Sequence, residues 1–395
     1  MPQDPDTVPR VSPDKGGRIP CLDGLRALSI IAVAFGHLCG TRGFPIPAVV
    51  LLPGDLSNLG VRVFFVISGF LITHLLIQES RASGRISLRG FYLRRSFRIF
   101  PAFYLYLSVI AGLAVSGYVA VHWSNIGFAA CYVINFLEEK DWVVGHFWSL
   151  AVEEQFYLLW PITIVVLGWR RSTLVVVAAV LGAPLLRVGC WYLLPELREI
   201  INMAFPTICD AIAIGCVLAC LRDQLSGWAA YQRFLSSWWF ILVPIAVFVS
   251  NAFAAHTRPD YLIGQSIRNI GIALSLDWCL RFPNSIVGRF LNLRWMIWLG
   301  ILSYSFYLWQ QLFLNRNSDS VLCAFPLNIA LAMACAVLSF HLVEKPLRKF
   351  QSRRFPVDPK RRAGSGDYTN ARDRVAYGKS RFANPEKAGR VNHPG

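Results

Sequence analysis

The chain is short of charge, and most of the charge it has is of one sign. Only 16% of its 395 residues are Asp, Glu, Lys or Arg, and 39 basic residues against 23 acidic ones leave a net charge of +16. With 55% hydrophobic residues and a mean hydropathy of +0.45, a soluble globular domain of this size is excluded. A disulfide or zinc framework is excluded too. The ten cysteines form no C-x-x-C pair and no His/Cys cluster, so they are expected to be buried apolar residues, and no metal site is expected. No apolar h-region precedes Cys21, so residues 1–20 are expected to be a polar cytoplasmic tail and not a signal peptide. No basic groove with interleaved aromatics lies outside the apolar runs, so the positive charge does not point to nucleic acid. No internal repeat is visible either, which weighs against the alternative of a multi-span transporter with an intramembrane charge network.

What is present is a series of apolar runs. Ten of them approach the length needed to cross about 30 Å of hydrocarbon: 22–40, 58–78, 97–119, 147–168, 172–194, 203–222, 237–254, 262–280, 295–315 and 322–344. The fold class expected is an all-α integral membrane protein, a bundle of about ten transmembrane helices filling residues 21–345. Residues 126–137 are apolar but too short to span. Residues 44–53 are expected to be a loop packed on the bundle, and residues 346–395 a basic, disordered cytoplasmic tail.

Basic residues orient the bundle. With the N-terminus inside, the five outer loops carry one basic residue each (Arg42, Lys140, Arg198, Arg258 and Arg316), while inner loops and tails hold 30 more of the 39. This asymmetry predicts that both termini are cytoplasmic.

Four arginines remain within apolar runs: Arg26, Arg62, Arg187 and Arg268. They are joined there by Glu153, Glu154, Asp210 and Asp277, with Asp23 at the inner end. Ionisable groups in a span are costly and face a bundle interior or a cavity. In the first run, D-G-L-R-A-L-S-I-I-A-V-A-F-G-H, the step from Arg26 to His37 is three helical turns plus ~20°. Asp23, Arg26 and His37 therefore share one face, and Arg26 and His37 stand ~16 Å apart along the axis. By depth, His37, Arg62, Glu153, Glu154, Arg187, Asp210 and Arg268 are expected in an outer polar cluster. Arg26 and the basic run R-G-F-Y-L-R-R-S-F-R-I-F-P (89–101) are expected on the inner side, facing anionic head groups or a phosphorylated ligand.

Other motifs carry weaker signals. Ser68-Gly69 in mid-run predicts a close helix approach or a small kink, and Ser68 has no local histidine to make it a nucleophile. His74 is expected to be structural. In L-G-I-L-S-Y-S-F-Y-L-W-Q-Q (299–311), Tyr304, Tyr307, Gln310 and Gln311 combine hydroxyl, amide and aromatic groups that suit sugar recognition.

These residues together resemble the acyltransferase type 3 family of integral-membrane O-acyltransferases. The resemblance rests on Arg26 and His37 as R-x10-H within L-D-G-L-R-A-L, and on F-F-V-I-S-G-F-L, R-R-S-F-R-I-F-P, F-W-S-L-A-V-E-E-Q-F-Y, L-S-Y-S-F-Y-L-W and V-E-K-P-L-R, in that order over residues 20–350. The family is largely bacterial and transfers acetyl or other short acyl groups to lipopolysaccharide, exopolysaccharide, lipochitin signals or macrolides. Membership implies a multi-pass protein of the cell inner membrane, with His37 catalytic, Arg26 assisting at the donor, and roles for Arg95, Arg98 and Glu153. Gln310 departs from many relatives, in which a histidine often follows Y-L-W. The SGNH domain that some relatives carry is not expected here.

The partners expected are a cytoplasmic acyl-CoA co-substrate, acetyl-CoA foremost, and a carbohydrate or glycolipid acceptor, with no bound cofactor. The inner arginines would meet the donor's phosphates, and His37 would deprotonate the acceptor hydroxyl, as neutral imidazole can near pH 7. Glu153 or Asp210 would orient the ring. The remaining substrate-binding candidates are Asp23, Arg26, Arg62, Arg95, Arg98, Arg187, Arg268, Tyr304 and Gln310.

Overall fold

A computed structural model of the chain describes residues 18–47, 55–252, 254 and 257–354. Most of both expected tails, and residues 48–53 of the apolar loop, lie outside the described residues. Among those described, all regular structure is helical and no strand occurs.

The first apolar run forms Leu22–Leu38 (α1), and the second forms Leu56–Ser83 (α2), capped by Asp55 accepting from the Ser57 N–H. The third helix, Leu88–Val115 (α3), begins nine residues before the expected apolar span, because Ser87 supplies an N-cap to the Gly90 N–H. The basic run is thereby helical, and Arg95 and Arg98 fall one turn apart on it. Next comes Phe147–Leu193 (α4), interrupted at Gly168, whose φ of 74° and ψ of 165° are not helical. Ser172 Oγ donates to the Thr163 carbonyl at 3.0 Å, a pair that a straight helix would hold ~14 Å apart. The two limbs therefore fold back on each other at Gly168, as expected for separate runs at 147–168 and 172–194.

The second half comprises Asp210–Gly227 (α5), Leu242–Ala252 (α6), Gln265–Arg281 (α7), Arg294–Phe313 (α8), Leu327–Ser339 (α9) and Lys345–Arg354 (α10). Residues 126–137 form no span: they make part of the short helix Trp123–Ala130 and the 3-10 turn Ile134–Phe136. Asn135 and the Tyr132 carbonyl are held there by Gln155 of α4.

Among the described residues, four helical stretches are long and apolar enough to cross a membrane: Leu56–Ser83, Leu88–Val115, Trp142–Leu193 and Leu327–Gln351. The pair Ala229–Ser236 and Trp238–Ala252, bent by 70°, makes a fifth if it counts as one span. Helix α1 and helix α7 have 17 residues each, the lower end of what a crossing requires. Leucine, isoleucine, valine and aromatic side chains project outward along α4, α6 and α7, including Leu158, Val166, Leu181, Leu185, Phe248 and Ile267. Apolar surface on this scale would drive aggregation in water and is stable against lipid.

Helix α1 is the hub, packed between α2 and α8. Gly300 of α8 lies directly against the Asp23 carbonyl, where a Cβ would collide with backbone. Gly69 of α2 and Gly215 of α5 make the same kind of approach to the Ile212 and Val66 carbonyls. The close approach expected at Ser68-Gly69 is thus explained by the α2–α5 crossing. All ten cysteines are free; Cys21, Cys39, Cys216, Cys279 and Cys323 are buried, whereas Cys131 is exposed, contrary to the uniform burial expected.

Candidate active site

Asp277 stands apart, accepting from Arg222, Arg281 and the Tyr231 hydroxyl; most other polar residues of the apolar runs fall into three groups. The first surrounds His37, near the C-terminal end of α1. Its Nδ1 is 2.8 Å from Gln310 Oε1 of α8. With the amide oxygen toward the ring, the proton belongs to Nδ1 and Nε2 keeps its lone pair. Among the described residues Nε2 makes no hydrogen bond, and the residue is only partly buried, so it is the nitrogen free to take a proton. Trp142 meets the imidazole edge-on, with centroids 5.6 Å apart, and its Nε1 donates to the Gln311 carbonyl at 2.9 Å. The buried ring of His146 packs alongside Tyr106, Phe147 and Tyr307. The Tyr307 hydroxyl donates to the His146 carbonyl at 2.9 Å and is 2.6 Å from Ser149 Oγ. Arg316, three residues beyond α8, donates from NH2 to the Gly36 carbonyl at 3.0 Å.

The second group gathers toward the N-terminal end of α1. Arg26 faces Asp23 at 3.6 Å. Arg95 lies 3.6 Å over the Tyr157 ring. Arg348, from α10, pairs with Glu344 at 2.8 Å, and Glu344 also accepts from the Ser305 hydroxyl. Arg98 lies among Arg26, Arg95 and Arg348 and, among the described residues, makes no hydrogen bond or ion pair. Glu153 accepts from Ser68 Oγ at 2.6 Å and feels the charges of Arg95 and Arg26. The Tyr304 hydroxyl donates to the Ile99 carbonyl at 2.7 Å.

The third group is a closed network between α2, α4, α5 and α7. Arg187 donates to Asp210 Oδ2 from both terminal nitrogens at 3.0 Å, and to the Thr207 and Tyr261 carbonyls. Arg268 meets Asp260 at 2.6 Å. Arg62 donates to three neutral amides: Asn58 at 3.0 Å, Asn269 at 3.2 Å and Gln265 at 2.8 Å. Arg62, Arg187, Arg268, Asp210 and Asp260 are all buried.

The shared face of Asp23, Arg26 and His37 is therefore occupied as the helical spacing predicts, but the single outer cluster is not what forms. The carboxylate expected to orient the base is replaced by an amide. Asp210 is spent on Arg187, Glu153 lies with Ser68 and the inner arginines, and neither is hydrogen-bonded to His37. Of the four residues expected to suit sugar recognition, only Gln310 is hydrogen-bonded to His37; Tyr307 is tied to His146 and Ser149, and Tyr304 belongs with the inner group. Three residues near these groups were not among the sequence candidates: Arg316, counted only as a loop charge; Trp142, which precedes the fourth apolar run; and Arg348, counted with the tail. Of these only Arg348 had a usable signal, since V-E-K-P-L-R places it one turn after Glu344.

Residues 19–341 match the family model described as an acyltransferase domain, and the chain belongs to that family. Among curated proteins it is 27% identical over 381 residues to the O-acetyltransferase OatA of Staphylococcus aureus (strain MRSA252), covering 87% of this chain and 60% of that one. It is 27% identical over 372 residues to the putative peptidoglycan O-acetyltransferase YrhL of Bacillus subtilis (84% and 55%). With the peptidoglycan O-acetyltransferase OatA of Listeria monocytogenes it shares 26% over 366 residues (84% and 56%). The chain thus spans less than two thirds of the length of these relatives. No solved structure matches it. Among the described residues no group of three His, Cys, Asp or Glu side chains could hold a metal ion.

Proposed function

We propose that this protein is a multi-pass O-acyltransferase of a bacterial inner membrane. It moves an acetyl or other short acyl group from cytoplasmic acyl-CoA to a hydroxyl of a surface glycan, of which peptidoglycan, named for two relatives, is one candidate. In this reading about ten segments cross the bilayer with both termini inside. The observation that carries it is the pairing along α1. Arg98, a guanidinium without a partner among the described residues, lies with Arg95 and Arg348 beside Arg26, and Arg26 stands ~16 Å along α1 from a His37 whose Nε2 is open. Phosphates bind at the arginine end, where planar guanidinium forks suit them, and the pantetheine arm of CoA has the reach to carry a thioester toward His37.

The chemistry follows from the free lone pair. Nε2 takes the acceptor's hydroxyl proton as its oxygen attacks the thioester carbonyl. A C–O bond forms, the carbonyl becomes an oxyanion, and its collapse breaks the C–S bond. The leaving thiolate receives the proton from the imidazolium. Gln310 fixes the ring orientation through Nδ1–H but, being neutral, leaves the imidazolium charge uncompensated from behind.

The test is mass analysis of surface glycans from cells with the protein, without it, and with His37→Ala at equal membrane abundance. The expected result is an acyl mass shift, removed by mild base, present only with wild-type protein. An unchanged acyl content on deletion overturns the reading.

A further inference from the structure

The charge pattern around His37 is unusual for a general base. Behind the ring, where a carboxylate commonly compensates the imidazolium, stands the amide of Gln310. Near the ring stands a cation, Arg316, which with Asp55 supplies the charges that act on His37. Asp55 is occupied in capping α2, its Oδ1 accepting from both the N–H and the hydroxyl of Ser57. Arg316 is held by one hydrogen bond, NH2 to the carbonyl of Gly36, the residue before the histidine. Its guanidinium carbon is 5.6 Å from the centroid of the Trp142 ring, the same ring that meets His37 edge-on. Its Nε is buried without a partner, and among the described residues no carboxylate lies within 4.0 Å of it. Arg187, Arg222, Arg268, Arg281 and Arg348 are by contrast each paired to an acid, whereas Arg62, held by three neutral amides, and the inner Arg95 and Arg98 share with Arg316 the lack of an ion pair among the described residues.

A guanidinium beside a base that becomes cationic is repulsive at the moment of proton transfer. The arrangement is favourable only if negative charge develops near both. In acyl transfer it does, on the carbonyl oxygen of the tetrahedral intermediate. We infer that Arg316 is a catalytic residue that binds the oxyanion formed as the acceptor oxygen adds to the acyl carbonyl. The inference rests on the acyl-transfer reading above. In the intermediate, imidazolium and guanidinium share the single negative charge, so a carboxylate behind His37 is not needed for balance. When the C–S bond breaks and the carbonyl re-forms, the charge leaves with the thiolate and the proton on His37 neutralises it.

Purified full-length protein in lipid nanodiscs tests this with two probes: acetyl-CoA with N-acetylglucosaminyl-N-acetylmuramic acid oligomers, and p-nitrophenyl acetate, an ester that needs no CoA site. Arg316→Gln retains a donor for the Gly36 carbonyl but removes the charge. It should lower kcat by about 10²–10³-fold, the usual loss for one oxyanion donor, with both Michaelis constants within about threefold of wild type. Free guanidinium should restore turnover at least tenfold (about 1.4 kcal/mol) in Arg316→Ala and not in His37→Ala. A merely structural arginine would not be rescued in this way. Arg316→Gln with kcat within about threefold of wild type, or a loss that guanidinium does not rescue, overturns the inference. If His37→Ala keeps full turnover while Arg316 shows loss and rescue, the base assignment fails and Arg316 stands. If wild-type protein turns over only the artificial ester, the CoA donor fails and the Arg316 arm is read on that ester. No turnover of either probe overturns both readings.

Discussion

Arg98 offers the sharpest test of the donor end. Removing its guanidinium by Arg98→Ala takes away one charge-assisted contact to a donor phosphate, worth about 1.5–3 kcal/mol when well shielded. Arg98 is only half-buried, and its three arginine neighbours continue to attract the anion, so the lower end applies. At about 1.4 kcal/mol per tenfold, the donor Michaelis constant should rise roughly tenfold while the acceptor constant holds. Salt should reproduce part of the effect in wild-type protein, because a partly open site is screened over about 8–10 Å near physiological ionic strength. Arg98→Lys should recover little, since an ammonium lacks the bidentate fork. The assay is acetyl-CoA titration of purified variants in nanodiscs, restricted to protein whose membrane orientation has been verified by protease accessibility. The competing idea is that Arg98 only anchors topology; it predicts lost or inverted protein but a normal donor constant in whatever inserts correctly. An unchanged constant in that fraction refutes the donor-site argument.

Further outcomes follow from the same geometry. His37→Ala should abolish transfer in purified protein without lowering its melting temperature, and activity near wild type would remove His37 as the base. Gln310→Ala should cut kcat about tenfold or more through loss of ring orientation with little change in either Michaelis constant, whereas a change confined to the Michaelis constants would make Gln310 a binding residue only. Asp210→Ala strands Arg187 in the interior and should cost about 3–5 kcal/mol, read as a lower melting temperature; the Arg187→Met/Asp210→Leu double variant should recover much of it, and a failure of transfer at full stability would return Asp210 to the chemistry. Reporter fusions at the C-terminus and within residues 121–140 should report opposite sides of the membrane, and the same side for both would overturn the ten-span topology.

Much of this protein is legible in its sequence because the lipid phase imposes local rules. Long apolar runs with few charges have no stable alternative to helix in hydrocarbon, where each backbone N–H and C=O must be satisfied within its own segment. Helical spacing is equally local: Asp23, Arg26 and His37 fall on one face whatever packs beside them, and Ser68-Gly69 announces a close crossing because only a small residue permits one. The ends of elements are less legible. The start of α3 follows from the Ser87 cap and not from apolarity, and the reversal inside α4 follows from one residue, Gly168, among several glycines in the chain.

What the sequence leaves open is which polar group meets which, since that is decided by contacts distant along the chain. Gln310 reaches His37 across 273 positions and Arg316 reaches Gly36 across 280, and nothing in either local stretch declares the partner. Asp210 looks as available to an imidazole as Glu153 does until packing places Arg187 against it. A buried charge goes to whatever opposite charge the fold brings within reach, because an unpaired one costs several kcal/mol. The sequence by itself determined the material of the site, a histidine and an arginine held on one helix of an apolar bundle, with further arginines in a basic run beside it. Tertiary structure decided how that material is divided, because ion pairing and hydrogen bonding act over a few ångströms in space and take no account of separation along the chain.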